Sequence, residues 1–152
     1  MTWGTSFVCY DVHNAVELPN LKLKPTHVLL DNQANVSLMK TNLLCDVRVE
    51  KSVVNIKGVG GKQLQVSQSG EFDGFFRVLA SNETTANVLS FTQVEDLFEI
   101  TYEPMVAFIL HMPGGKKIRF ERMGGLFVAD FAEHYVFASV QENESIYALR
   151  TK

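Results

Sequence analysis

The sequence predicts a mostly β protein, and three observations carry that expectation. Eleven Phe and 4 Tyr stand beside many Val, Leu and Ile, residues that pack well on a pleated, half-buried surface. Beyond Phe98, short apolar runs recur with turn signals between them: "FEITYE", "VAFILHM", Pro113-Gly114-Gly115, "KKIRFERM", Gly124-Gly125, "LFVADF", "HYVFASV" and "SIYALR". That spacing is the pattern of an antiparallel meander. Finally, "KSVVNIKGVGGKQLQVSQSGEF" (51–72) gives two alternating arms joined at Gly58, Val59, Gly60 and Gly61, which reads as a hairpin with a flexible glycine tip.

The remaining elements follow in order. "SFVCYDV" (6–12) reads as a strand, and a loop punctuated by Pro19 and Pro25 leads to "HVLLD", a short continuous apolar strand. "NVSLMKTNLL" is a strand or a short turn of helix, "GFFRVLA" another strand and "NETT" a polar turn. "ANVLSFTQVEDLF" starts extended and ends as a short helix carrying Val88, Phe91, Val94 and Leu97. The 152 residues fit one domain, and a chain of this size buries roughly 70% of its unfolded surface, enough for a core without staples.

Composition excludes several function classes. The net charge is −3, and the one tight basic cluster is Lys116, Lys117, Arg119 and Arg122. That is too little for a nucleic-acid footprint, and the alternation in "KKIRFERM" suggests the solvated face of a strand. Cys9 and Cys45 could form at most one disulfide, so a reduced, intracellular setting is expected. The first basic side chain is Lys22, leaving no charged region for a signal peptide, and "MVAFILHM" is far short of a membrane span. No membrane association is expected. Cys9 and His13 have no second pair at zinc spacing, and His27, His111 and His134 sit beside apolar strand residues as structural histidines do. No nucleophile elbow occurs, and "GVGG" lacks the Lys-Ser/Thr of a phosphate loop.

One stretch raises a chemical question. In "THVLLDNQANVSLM" an apolar run ends on Asp31, followed by Asn32, Gln33 and Ala34, before the chain turns apolar again. A buried lone carboxylate is costly, so Asp31 is either exposed in a turn or meets a partner. Three readings are open: a strand-to-turn Asx residue, a metal or phosphate ligand, or half of a two-carboxylate centre.

Three features read together add to this. A strand ends in Asp31 and a small polar loop, a glycine-tipped hairpin follows 27 residues on, and "ANVLS" with a short helix closes the unit 59 residues after the aspartate. Their order and spacing resemble the retropepsins, the dimeric aspartic proteases of retroviruses and LTR retrotransposons. The likeness is greatest to copia-type retrotransposon polyproteins. "NVLSFTQVEDLFEITYE" is similar to the segment after their protease core, where an Asn-(Ile/Leu/Val)-Leu-Ser-x-x-Gln pattern recurs, and "GGLFVADF" to the stretch leading toward the integrase region. The similarity covers about residues 26 to 150.

The resemblance implies a retropepsin-like β-barrel over residues 1–97 with a flap hairpin and one short helix. A β-rich C-terminal extension, 98–152, either packs on that core as one domain or stands beside it. Asp31 would be the catalytic residue, within the loop Asn32, Gln33 and Ala34. Gly58, Val59, Gly60 and Gly61 would form the substrate flap, and Val88, Leu89 and Ser90 would pack under the loop. The active unit would be a homodimer acting on a peptide or polyprotein, in the cytoplasm or within virus-like particles, with no metal and no cofactor. Two Asp31 carboxylates would share one proton, because carboxylates about 3 Å apart cannot both ionise. The sequence departs from the usual Asp-Thr/Ser-Gly-Ala loop at two positions. Asn32 can still donate and accept hydrogen bonds, whereas Gln33 brings bulk where a glycine is usual. The alternative is a catalytically impaired or domesticated module that binds peptides or assembles.

Overall fold

The computed structural model describes residues 6–9, 23–58 and 63–132. Eleven strands join in one sheet: β1 (Ser6–Cys9), β2 (His27–Asp31), β3 (Leu38–Met39), β4 (Cys45–Gly58), β5 (Gln63–Glu71), β6 (Arg77–Ala80), β7 (Asn87–Ser90), β8 (Glu99–Glu103), β9 (Ala107–His111), β10 (Lys117–Met123) and β11 (Leu126–Asp130). One helix, α1 (Phe91–Glu95), lies wholly among the described residues, and a 3-10 turn, Thr41–Leu43, follows β3. The molecule is thus mostly β.

The strand order is β1-β4-β5-β6-β3-β7-β2-β11-β10-β9-β8. Among the described residues the sheet does not close, so the expected barrel gives way to an open sheet with β1 and β8 at its edges. The reason lies in β2. Its flank opposite β7 is taken by β11, with Val128 against Leu29 and Asp130 against His27, and the C-terminal meander continues outward from there. The segment beyond residue 97 therefore extends the sheet that contains Asp31.

Alternation explains why the central strands read as continuous apolar runs. Val28 and Leu30 point into a core with Met39, Leu89, Phe120 and Phe131, whereas Leu29 points the other way, into a second core with Leu38, Val54, Val66, Val88 and Val128. Strands covered on both faces need apolar residues at every position. Each such side chain contributes about 1.5–3 kcal/mol on burial. On β10 the alternation is one-sided, with Ile118 and Phe120 buried and Lys117, Arg119 and Glu121 exposed, as "KKIRFERM" suggests.

Some boundaries differ from the sequence reading. The strand expected from "GFFRVLA" begins only at Arg77. Its leading residues form a turn, in which Phe75 N–H donates to the Phe72 carbonyl (2.8 Å) and Phe72 N–H to the Phe76 carbonyl (3.0 Å). Stacking of Phe75 on Phe72, with centroids 4.7 Å apart, rewards the turn over the strand. Val88 lies in β7 rather than on the helix, and Leu97 is exposed. The helix stops at Glu95 because Asp96, Leu97 and Phe98 close the turn onto the Thr92 and Val94 carbonyls. The hairpin's first arm begins earlier than expected, at Cys45, and is irregular between Val49 and Val54. Its tip residues Val59, Gly60 and Gly61 lie outside the described residues, as do "HYVFASV" and "SIYALR".

Candidate active site

Asp31 ends β2, and the topology around it is specific. β7 lies between the successive strands β2 and β3, parallel to β2 and antiparallel to β3. The ladder sets Leu29 against Val88, Leu30 against Leu89 and Asp31 against Ser90. Val88, Leu89 and Ser90 are fully buried, so the segment "VLS" lies directly alongside the strand that delivers the carboxylate.

The loop after Asp31 turns on the carboxylate itself. Gln33 N–H donates to Asp31 Oδ1 at 2.8 Å, the i to i+2 geometry of an Asx turn. Ala34 is buried, while Asn32 and Gln33 are exposed. Gln33 therefore leaves its long amide side chain in solvent. Asp31 is only 2% exposed. Its second oxygen, Oδ2, is buried with no hydrogen-bond partner among the described residues. Of the three readings, the Asx turn accounts for Oδ1 and leaves Oδ2 unexplained. A buried acceptor without a partner costs about 1–3 kcal/mol, and more if charged.

A buried polar network braces the loop from below. Ser90 Oγ donates to the Ala34 carbonyl (2.8 Å), and Ser90 N–H donates to Ser37 Oγ (2.9 Å). Ser37 Oγ in turn donates to Gln93 Oε1 (2.6 Å). Ser90 is also the N-cap of α1, accepting from Gln93 N–H at 3.5 Å. The loop and the helix thus share one set of bonds. At the other end of β7, Asn87 donates to the carbonyls of Pro25 (2.8 Å) and His27 (2.9 Å) and accepts from Lys40 N–H (2.7 Å). One buried amide ties together the chain entering β2, the start of β7 and the exit of β3.

Asn87, Ser90 and Gln93 are the polar positions of the Asn-x-Leu-Ser-x-x-Gln pattern, and each has a bonding role. Ser37 carries no such sequence signal. The only trace is one hydroxyl inside the apolar run "NVSLM", where an inward polar side chain needs a partner.

Beside the entry to β2, His27 Nδ1 accepts from Lys24 N–H (3.0 Å), which leaves the proton on Nε2, 3.6 Å from Asp130 Oδ2. Burial acts most on the Asp130 carboxyl and pushes its pKa up. The Ala132 N–H, the Thr26 hydroxyl and the Lys24 charge help outweigh it and leave the pKa below the ordinary aspartate value.

Of the residues expected to form a flap, Gly58 ends β4 and Val59, Gly60 and Gly61 lie outside the described residues. Among the described residues no group of His, Cys, Asp and Glu side chains gathers as a metal site, and no helix is long and apolar enough to cross a membrane. No family model, no curated protein and no solved structure matches the chain.

Proposed function

We propose that the chain is one protomer of a retropepsin-type aspartic endopeptidase, related to copia-type retrotransposon proteases, whose two Asp31 carboxylates meet across a homodimer. The observation that carries the reading is Asp31 Oδ2, a buried carboxylate oxygen without a hydrogen-bond partner at the end of a core strand. Further support comes from β7 set between β2 and β3, with Ser90 holding the Ala34 carbonyl under the loop. The chemistry follows from two carboxylates sharing one proton. The ionised carboxylate takes a proton from water while the oxygen adds to the peptide carbonyl carbon, and the protonated one donates to the carbonyl oxygen. The gem-diol then collapses, a proton passes to the amide nitrogen and the C–N bond breaks. The β4–β5 hairpin closes over the extended peptide. Because Oδ2 is sealed from solvent in the single chain, the exposed corner at Asn32 and Gln33 has to shift as the second chain docks.

That sealing favours one alternative, a retropepsin-fold module that binds peptides or assembles without cutting them. Incubation with a mixed peptide library at mildly acidic to neutral pH separates the two. The protease reading expects cleavage by the wild type and none by Asp31→Asn, which keeps an acceptor for the Gln33 N–H and so the turn of the loop. An uncut library with a stable, peptide-binding wild type establishes the module instead.

A further inference from the structure

The register carries the position of Asp31 across the sheet. β11 is antiparallel to β2, and the ladder ends with Val128 against Leu29; that register, carried two residues past its last pair, sets Leu126 level with Asp31. Leu126 pairs with Met123 of β10. Met123 follows Arg122, whose N–H donates to the Val106 carbonyl (2.8 Å) in the turn between β8 and β9. One row, Asp31, Leu126, Met123 and Met105, therefore runs along this end of the sheet for roughly 14 Å, at about 4.8 Å per strand.

The outer part of this row is apolar and open to solvent. Met105 is 67% exposed, Val106 48% and Met123 39%. Met105 has φ +66°, a conformation that few non-glycine residues adopt, so the turn holds a flexible thioether outward at a conformational cost. Met105 and Val106, with Gly124 and Gly125, line an open depression whose two charges are Glu121 and Arg122. Arg122 Nη1 lies 3.4 Å from Met105 Sδ, and among the described residues no carboxylate is within ion-pair range of Arg122. Glu121 is 3.8 Å from Arg119, which makes its closer bond, 3.0 Å, to Glu103. As neighbours on a strand, Glu121 and Arg122 leave opposite faces of the sheet.

We propose that a second copy of the chain docks on this row, with the twofold axis lying along it. The inference rests on the two-carboxylate reading and names the surface that would complete that site. A half-turn about a line along the row sets the two sheets end to end and exchanges their faces. Asp31 then comes to Asp31 of the second copy, and Met123 and Met105 meet their counterparts. Because the faces are exchanged, Glu121 of each copy meets Arg122 of the other. A twofold contact requires such reciprocal pairing, and one acid and one base leaving opposite faces beside an apolar row supply it.

The test is sedimentation of the full chain over a concentration series, for the wild type, Arg122→Glu, Glu121→Arg and an equimolar mixture of the two variants. The wild type is expected to self-associate, and each variant alone to associate about tenfold or more weakly, since like charges then face each other. The mixture is expected to recover association as a heterodimer, a result that a folding defect in either variant could not produce. A wild type that stays monomeric at its highest soluble concentration overturns the proposal. So does association that neither reversal weakens, or a mixture that recovers nothing. Peptide cleavage on the same samples keeps the two ideas apart. Cleavage unaffected by Arg122→Glu overturns this surface and leaves the protease standing, whereas charge-dependent association without any cleavage supports the surface and sinks the protease.

Discussion

At the scale of single residues, the site is a contrast between one unpartnered oxygen and a set of fully used ones. Asp31 Oδ2 has no hydrogen bond, while Asn87 and Ser90 spend nearly all their polar atoms on the backbone around it. That division predicts opposite mutational behaviour. Replacing Asn87 by Ala takes the acceptor from the Lys40 N–H and two bonds from the chain around β2, removing a buried amide from part-buried partners. Urea unfolding should show a loss of about 2–4 kcal/mol. Asp31 stood out in the sequence because it sets a charge at the end of the apolar run "HVLL". Ser37 did not, because a lone serine in an alternating run reads as a solvent-facing residue until the strand's partner is known.

Among the elements, the β4–β5 hairpin shows how an irregular strand is held. Asp46 takes φ +50° near the start of β4. Arg77 on β6 reaches across to bond both its carboxylate (2.7 Å) and its carbonyl (2.9 Å). On the neighbouring strand a Cβ added at Gly70 would lie 2.9 Å from the Leu44 side chain and 3.3 Å from Val47, so glycine lets Leu44 and the start of β4 pack this closely. The hydrogen bond from Arg48 is the largest influence on Asp46. With partial burial opposing it, and the Arg48 and Arg77 charges adding to it, the carboxyl is held below its ordinary value of 3.8. A depressed folded value stabilises the protein above the unfolded pKa, and that contribution is lost as pH falls through the folded one. The urea midpoint of the wild type should therefore exceed that of Asp46→Asn at neutral pH, and the two should converge in strong acid. Equal midpoints at all pH values would show that solvent screening cancels the pairing.

For the molecule as a whole, the consequential pairing is β11 on β2. The hairpins of residues 98–132 supply Leu110, Ile118, Phe120, Ala129 and Phe131 to the same core as Val28 and Leu30. A fragment ending at residue 97 should consequently lose cooperative unfolding, because one side of the Asp31 strand would lack its ladder and much of one core its cover. Circular dichroism through a thermal melt, with dye binding to exposed apolar surface, checks this. A sharp transition in the fragment would mean that the first 97 residues form a core of their own.

The sequence by itself determined the class of structure, because alternation, glycine turns and branched residues are local signals that need no knowledge of neighbours. His27–Asp31 as a strand, the strands of the meander from Glu99 to Asp130 and a change from strand to helix within "ANVLSFTQVEDLF" follow from it, although the structure moves Val88 from the helix to the strand. Only the tertiary structure decided that the sheet is open among the described residues, that β7 runs between β2 and β3, and that Ser37, Asn87 and Gln93 are bonded braces. Strand order and polar pairing depend on residues dozens of positions apart, chosen by which faces can be buried together. A period of two specifies which residues point inward, and it leaves open which strand they will meet there.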